Sequence, residues 1–322
     1  QRSRLRRSTE RPGCLRESTN EQLDSTFDAI PEHIRKQLKS FQVEGVRKAL
    51  RINGRVLLGD ETGLGKTVQA IAVASAYREG EWPLVVMCPG SLKRLWRNEL
   101  KRWLFLSDHE IFLPNTPDDL YKGMPELPRG TQVMVVGYNQ LAAAREDGKD
   151  FFQQSSWKPQ VVICDESHNL KNWQAQVTTT CIPIIRNAKR RILLSGTAAP
   201  NRPAELHPQL NAINPVFFPA RAKEFDRRYC DGKEVYQGAR RKWSAKGATN
   251  EKELDSILRH PAGPMVRRTA DEVLHDLPPS TRTKFDMILE PGDIAQHKKM
   301  MKDFRQLKAK NAVNRDRGGS VN

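Results

Sequence analysis

Lys66 and Thr67 sit at the centre of LLGDETGLGKTVQAI, Leu57 to Ile71, a stretch with the residue types needed to hold a polyphosphate. Gly63 and Gly65 let the backbone turn tightly, with its N–H groups facing an anion. A helix starting near Lys66 adds the positive end of its dipole. The Lys66 ammonium suits β- and γ-phosphates, and the Thr67 hydroxyl suits Mg²⁺. The strict phosphate-loop spacing is not met, because Asp60 stands where the first glycine belongs and Gly59 comes one residue early. A Gly-rich helix entry with an unrelated lysine is the plainer reading of the same residues.

A second constellation is VVICDESH, Val161 to His168, in which an apolar run ends on two carboxylates. Asp165 suits a Mg²⁺ ligand, direct or through water, and Glu166 suits a group that orients or activates the attacking water. Acidic residues also cap helix N-termini. The phosphate loop upstream tips the choice toward the metal.

The elements that must position these residues alternate in type. Strands are expected at 55–58, 84–89, 132–138, 161–166 and 191–196. Helices are expected from Pro31 (with Ile34, Leu38, Phe41 and Val46 on one face), after the Gly-rich turn to Ala76, from Ser91 as N-cap to about Trp103, and over 178–187. The strands are continuously apolar, the pattern of a parallel sheet covered on both faces. Ligands of such α/β sheets bind at the carboxyl ends of the strands, where both constellations fall.

Residues 1–30 read as a basic disordered flank, 31–220 as the α/β lobe, 221–290 as a basic helical or irregular insertion and linker, and 291–322 as a basic helical and disordered tail. The chain has 322 residues and a net charge of +16, which points to a polyanionic partner, nucleic acid before others. Five cysteines without a C-x-x-C pair argue against a zinc site and a secreted disulfide framework. No apolar run approaches the roughly 18–20 residues that span a bilayer.

The series D-E-T-G-L-G-K-T, D-E-S-H and LLSGT (193–197) resembles the superfamily 2 helicase-like ATPases, in particular the Swi/Snf-type DNA translocases. That family's loop typically reads D-E-M-G-L-G-K-T, so the resemblance makes Asp60 a regular loop residue and leaves Thr62 as the departure. It implies a RecA-like lobe, ATP and Mg²⁺ as cofactors, and Gln42 as the adenine contact in LKSFQVEGV (38–46). Asp60, Gly63, Gly65, Lys66 and Thr67 would bind the nucleotide, with Thr67 and Asp165 on Mg²⁺ and Glu166 on the water. CPGSLKRLW (88–96), with Ser91, Lys93 and Trp96, resembles the segment that lies along DNA. VVGYNQL (135–141) stands in the place of the next DNA-side segment. Ser195 and Thr197 correspond to the segment coupling hydrolysis to DNA movement, with His168 relaying to it.

The stretches at 201–219, 225–232 and 265–279 resemble the annealing-helicase branch, whose members rewind DNA and remodel stalled replication forks. The basic YQGARRKWSAKGATNEKEL fits the same branch, and Arg240, Arg241 and Trp243 are its candidate DNA contacts. Two departures stand out. Arg267-Arg268-Thr269-Ala270 replaces the usual Arg-Arg-Leu-Lys, and AAPN follows Thr197 where the family has Pro at once. No second-lobe arginine segment is found in these residues, so slow turnover is expected of this chain alone. The partners expected are branched or forked DNA, with replication and repair proteins as candidates. The location is nuclear in a eukaryote and cytoplasmic otherwise. The rival reading is a nucleotide-gated DNA-binding scaffold with a relic ATPase lobe; a strand-separating helicase would share the same site.

Overall fold

The computed structural model describes residues 17–120, 127–144, 151–197, 202–219, 222–237, 240–276, 293 and 296–302. The opening basic arm, the AAPN departure, the LPPSTRTKF stretch and the end of the tail lie outside them. Residues up to Leu277 form one compact unit, and those from Pro278 form another, in which 296–302 is helical.

The first unit opens with α1 (Asn20–Asp28), α2 (Glu32–Arg35) and α3 (Ser40–Arg51), then β1 (Arg55–Leu58) and α4 (Lys66–Ser75). The short α5 (Arg78–Glu81) leads to β2 (Leu84–Cys88), α6 (Lys93–Leu104) and β3 (Ile111–Phe112). Next come β4 (Val133–Gly137), α7 (Tyr138–Ala143), α8 (Phe151–Gln154), β5 (Val161–Cys164), α9 (Gln176–Asn187) and β6 (Arg190–Leu194). After α10 (His207–Ile213) and α11 (Ala222–Tyr229) come the hairpin β7 (Lys233–Gln237) and β8 (Arg240–Ser244), then α12 (Glu251–Arg259) and β9 (Met265–Val266).

Seven strands form one sheet in the order β3-β4-β2-β5-β6-β1-β9, and every neighbouring pair is parallel. Helices α1, α3, α4 and α6 pack among themselves, as do α7, α9 and α10, and each set also contacts the sheet. The central strands β2, β4 and β5 are therefore wholly buried, which explains their unbroken apolar sequence. β6 contributes Arg191, a buried arginine that donates to the carbonyls of Arg186 and Ala188 at the end of α9 and of Ala212 and Ile213 at the end of α10. One side chain thus satisfies the orphan carbonyls of two helices. Burial pushes its pKa down to about 10.

Several expectations need correction. Residues 20–28 are not flank but a helix, held by a reciprocal cap between Thr19 and Gln22 and anchored by the buried Leu23. The single helix expected from Pro31 is two, because Gln42 Oε1 accepts from the Lys39 N–H and starts α3 afresh. Ser91 is not an N-cap; it lies in a separate 3₁₀ turn (Gly90–Leu92) before α6. The basic insertion contains an antiparallel hairpin, and its far end returns to the core as edge strand β9. β3 and β9 have two residues each, too few to show a period.

The placement of α1 predicts that Leu23→Ala costs about 2–5 kcal/mol, the usual penalty for emptying a buried leucine site. Urea denaturation followed by circular dichroism should show a lower midpoint; an unchanged midpoint would mean that α1 is dispensable.

Candidate active site

Strands β5, β6 and β1 are adjacent, and the register Cys164↔Leu193 and Leu58↔Leu194 brings their carboxyl ends to one level. From these ends leave the Asp165-Glu166 pair, the Ser195–Thr197 turn and the phosphate loop. The loop's glycines have distinct reasons. Gly63 and Gly65 have φ of +93° and +75°, the left-handed region that side chains other than glycine rarely adopt. At Gly65 an added Cβ would also strike Gln42 Nε2. At Gly63 it would meet nothing within 4 Å, so the loop is open there.

Lys66 opens α4, and its Nζ donates to the carbonyls of Asp60 (2.9 Å) and Glu61 (3.2 Å). Burial pushes its pKa down, while the charges of Glu166, Asp60 and Asp165 oppose that shift. The lysine and the acidic pair therefore share one electrostatic site. Gln42 donates from Nε2 to the Leu64 carbonyl at 3.1 Å, so its carboxamide joins the start of α3 to the phosphate loop.

Asp165 is held from three directions. Oδ2 accepts the Trp96 indole N–H at 2.8 Å, Oδ1 accepts the Glu166 N–H at 2.9 Å, and the Asp165 carbonyl accepts the Tyr138 hydroxyl at 2.8 Å. Glu166 has φ +49°, ψ +50°, a left-handed conformation that costs a glutamate of order 1 kcal/mol. The single 3₁₀ turn that follows carries His168. Its Nδ1 lies 3.1 Å from Glu166 Oε2 and 3.1 Å from Ser195 Oγ, and Ser195 Oγ accepts the Thr197 N–H at 3.2 Å. The expected relay is thus a contiguous chain from Glu166 to the exposed Thr197.

These residues fit a nucleotide polyphosphate with a divalent cation. The loop is open at Gly63, Lys66 supplies positive charge, and a carboxylate oriented by a neighbouring indole is the usual form of a metal ligand with its supporting shell. Thr67 lies one residue into α4, partly exposed.

Asp60 has a role that the sequence did not disclose. The resemblance places it among the nucleotide-binding residues, but its side chain is fully buried. Oδ2 pairs with Arg268 Nη2 at 2.7 Å and accepts Gln69 Nε2 at 3.0 Å, while Oδ1 accepts Arg268 N and Nε. It belongs to the loop's foundation and not to its ligand surface. Arg267 Nη1 donates to the Gly59 carbonyl at 2.7 Å and approaches that of Gly196 at 3.4 Å. Both arginines stood out in the sequence only as the start of an altered segment.

The DNA-side candidates divide. Ser91, Thr197, Arg240 and Arg241 are exposed. Lys93 turns inward, donating to the Pro114 carbonyl and to Gln140 Oε1, and Trp96 is 1% exposed with its N–H on Asp165. Neither offers its polar end to DNA; an amphipathic helix gives no sign of which long side chains fold back. Trp243 is likewise anchored, donating to Asp226 Oδ2 at 2.8 Å, with Lys223 and Arg227 about its ring. Ser195 is buried and acts through hydrogen bonds alone.

Trp96→Phe keeps an aromatic ring but deletes the N–H with the rest of the pyrrole ring, so some lost packing adds to the lost hydrogen bond. A hydrogen bond to a charged group contributes about 1.5–3 kcal/mol, so stability should fall by that order. The released Asp165 should weaken nucleotide binding in Mg²⁺ more than in EDTA, as read by titration with a fluorescent nucleotide. Equal losses in both would remove Asp165 from the metal.

The model of the SNF2-related domain matches residues 41–320. The "DNA annealing helicase and endonuclease ZRANB3" of Mus musculus is 36% identical over 306 residues, covering 95% of this chain and 27% of that protein. The Homo sapiens form is 38% identical over 84% of this chain and 24% of its own length. The Xenopus tropicalis "SWI/SNF-related matrix-associated actin-dependent regulator of chromatin subfamily A-like protein 1" is 37% identical over 81% of this chain and 25% of its own. The chain thus spans about a quarter of the length of these relatives. The Sulfolobus solfataricus SWI2/SNF2 ATPase core domain superposes with a TM-score of 0.57 at 22% identity, over 92% of this chain and 56% of that one. That likeness identifies the fold as RecA-like. With a family model over most of its length and relatives above one-third identity, the chain belongs to the SNF2-related domain family.

Proposed function

We propose that this chain is the ATP-binding lobe of a DNA translocase that rewinds or remodels branched and forked DNA. The observation that carries the reading is the convergence on three adjacent strand ends. The phosphate loop, the Asp165-Glu166 pair and the Ser195–Thr197 turn meet there, the latter two joined through His168 Nδ1. In this reading Gln42 stands on the base side, and Gly63, Gly65 and Lys66 hold the phosphates. Thr67 and Asp165 hold Mg²⁺, whose charge would stabilise the transferring phosphoryl group. Glu166 orients the water, and a change in its hydrogen bonding passes through His168 and Ser195 to Thr197. The ZRANB3 relatives, named as DNA annealing helicases, support annealing of DNA as the activity; replication and repair as the setting, and a nuclear location in a eukaryote, belong to the same reading.

DNA contact falls to Ser91, Thr197 and the hairpin, where Arg240 and Arg241 are exposed beside Lys242. These are phosphate contacts, indifferent to sequence. For duplex DNA each one lost should reduce the slope of log affinity against log salt by about 0.9. Arg240→Ala with Arg241→Ala should flatten that slope by nearly two such steps in fluorescence anisotropy. An unaltered slope places DNA elsewhere.

The deciding test is Lys66→Ala. Nucleotide binding and any DNA-stimulated hydrolysis by the full-length protein should vanish while DNA affinity is kept. Retained hydrolysis would refute the site. DNA binding by a parent protein that takes up no nucleotide would favour the scaffold reading.

A further inference from the structure

The edge strand β9 pairs with β1 over only two residues, yet the two chains keep company well beyond them. Leu57 N–H donates to the Pro264 carbonyl (2.7 Å), Gly59 N–H to Val266 (2.7 Å) and Glu61 N–H to Arg268 (2.9 Å). The alternation is that of a parallel ladder, and it runs past the strand into the phosphate loop. Ala270 N–H then donates to Glu61 Oε2 at 2.7 Å. Segment 264–270 is thus laid along the whole first half of the loop.

Its two arginines fasten it further. The Arg268 fork grips Asp60 through Nε and Nη2, reaches Gln69 Oε1 at 3.0 Å, donates to the Phe41 carbonyl and lies over the Phe41 ring. One guanidinium therefore touches the phosphate loop, α4 and the first turn of α3. Arg267 links the loop at Gly59 to the turn at Gly196. Gly45 on α3 is shaped to this arrangement, since an added Cβ would lie 2.5 Å from Arg268 Nη2 and would also strike Gln69 Oε1. A planar fork held at several points is stiff in a way that a lone ammonium is not.

We propose that Arg268, assisted by Arg267, is a positioning residue that makes segment 264–270 and the phosphate loop one mechanical piece, so that nucleotide binding at the loop is transmitted to Thr269 and Ala270. The proposal rests on the nucleotide reading above. An inert strut would stabilise the fold without responding to ligand, so the test must read the response. Amide hydrogen exchange of the purified chain, with and without a non-hydrolysable ATP analogue and Mg²⁺, does so.

In the parent, nucleotide should slow exchange at residues 62–67 and also at Arg268 and Ala270. Arg268→Lys keeps the charge and loses the fork. It should weaken nucleotide about 10–100-fold, the usual effect of removing a supporting residue behind a ligand site. At saturating nucleotide it should lose the response at 268 and 270 while keeping that at 62–67. Should Arg268→Lys fail to fold, Gly45→Ala decides, since it displaces the fork and deletes none of its partners; the same uncoupling is expected. Protection at 62–67 without any at 268 and 270 in the parent overturns the coupling and spares the nucleotide reading. Parent-like affinity and response in a folded variant does the same. No nucleotide-dependent protection in either place overturns both.

Discussion

The pairing of Asp60 with Arg268 is the constraint around which the site is arranged. A fully buried carboxylate without its cation would cost several kcal/mol, and removing one partner of such a pair typically costs about 3–5 kcal/mol. The pair therefore specifies one arrangement of the phosphate loop more than it adds to net stability. It also explains why the loop breaks the strict glycine spacing. Positive φ falls on Gly63 and Gly65 and not on residue 60, so position 60 tolerates a side chain. Asp then uses that freedom to tie the loop down to residues 208 positions later in the chain.

The same logic extends to the acidic pair. Asp165 has one oxygen on Trp96 and the other on the backbone of Glu166, and Tyr138 holds the carbonyl between them. Trp96 comes from α6, Tyr138 from α7, and both are buried, so helices from the two packed sets converge on one residue, Trp96 on its carboxylate and Tyr138 on its backbone carbonyl. The left-handed backbone at Glu166 is the local strain in this arrangement, and it leaves the carboxylate within reach of His168. Preorganised groups of this kind need little rearrangement when charge develops.

What the sequence discloses follows the range of each interaction. The five main strands could be read because burial on both faces gives each an unbroken apolar run, even where β1 and β6 open on arginines, and the phosphate loop because its chemistry is local. Only the family resemblance singled out His168, whose Nδ1 lies 3.1 Å from both Glu166 Oε2 and Ser195 Oγ. The resemblance put Trp96 and Lys93 in a DNA-side segment, and their polar ends turn in because the partners Asp165, Pro114 and Gln140 lie on other elements. Arg268 was invisible as a site residue for the same reason, and β9 was hidden by its length. Asp60 could be recognised as regular but not understood, since its explanation lies in Arg268.

The hairpin shows how such inward commitments bear on the proposed DNA contact. Opposite Trp243 stands Glu234, and opposite Arg241 stands Tyr236, so an aromatic and a charge alternate along one face. Trp243 donates its N–H to Asp226 and has Lys223 and Arg227 about its half-buried ring, so its polar end is committed within the protein. The exposed arginines remain, and guanidinium groups on phosphates carry no sequence information. A surface that grips the backbone and leaves the bases unread holds any sequence about equally well. An advancing translocase requires that property, because a tight base-specific contact at one step would trap it there. Within the proposed function, a tryptophan whose N–H is committed to Asp226 suits a hairpin that guides DNA better than one that selects it.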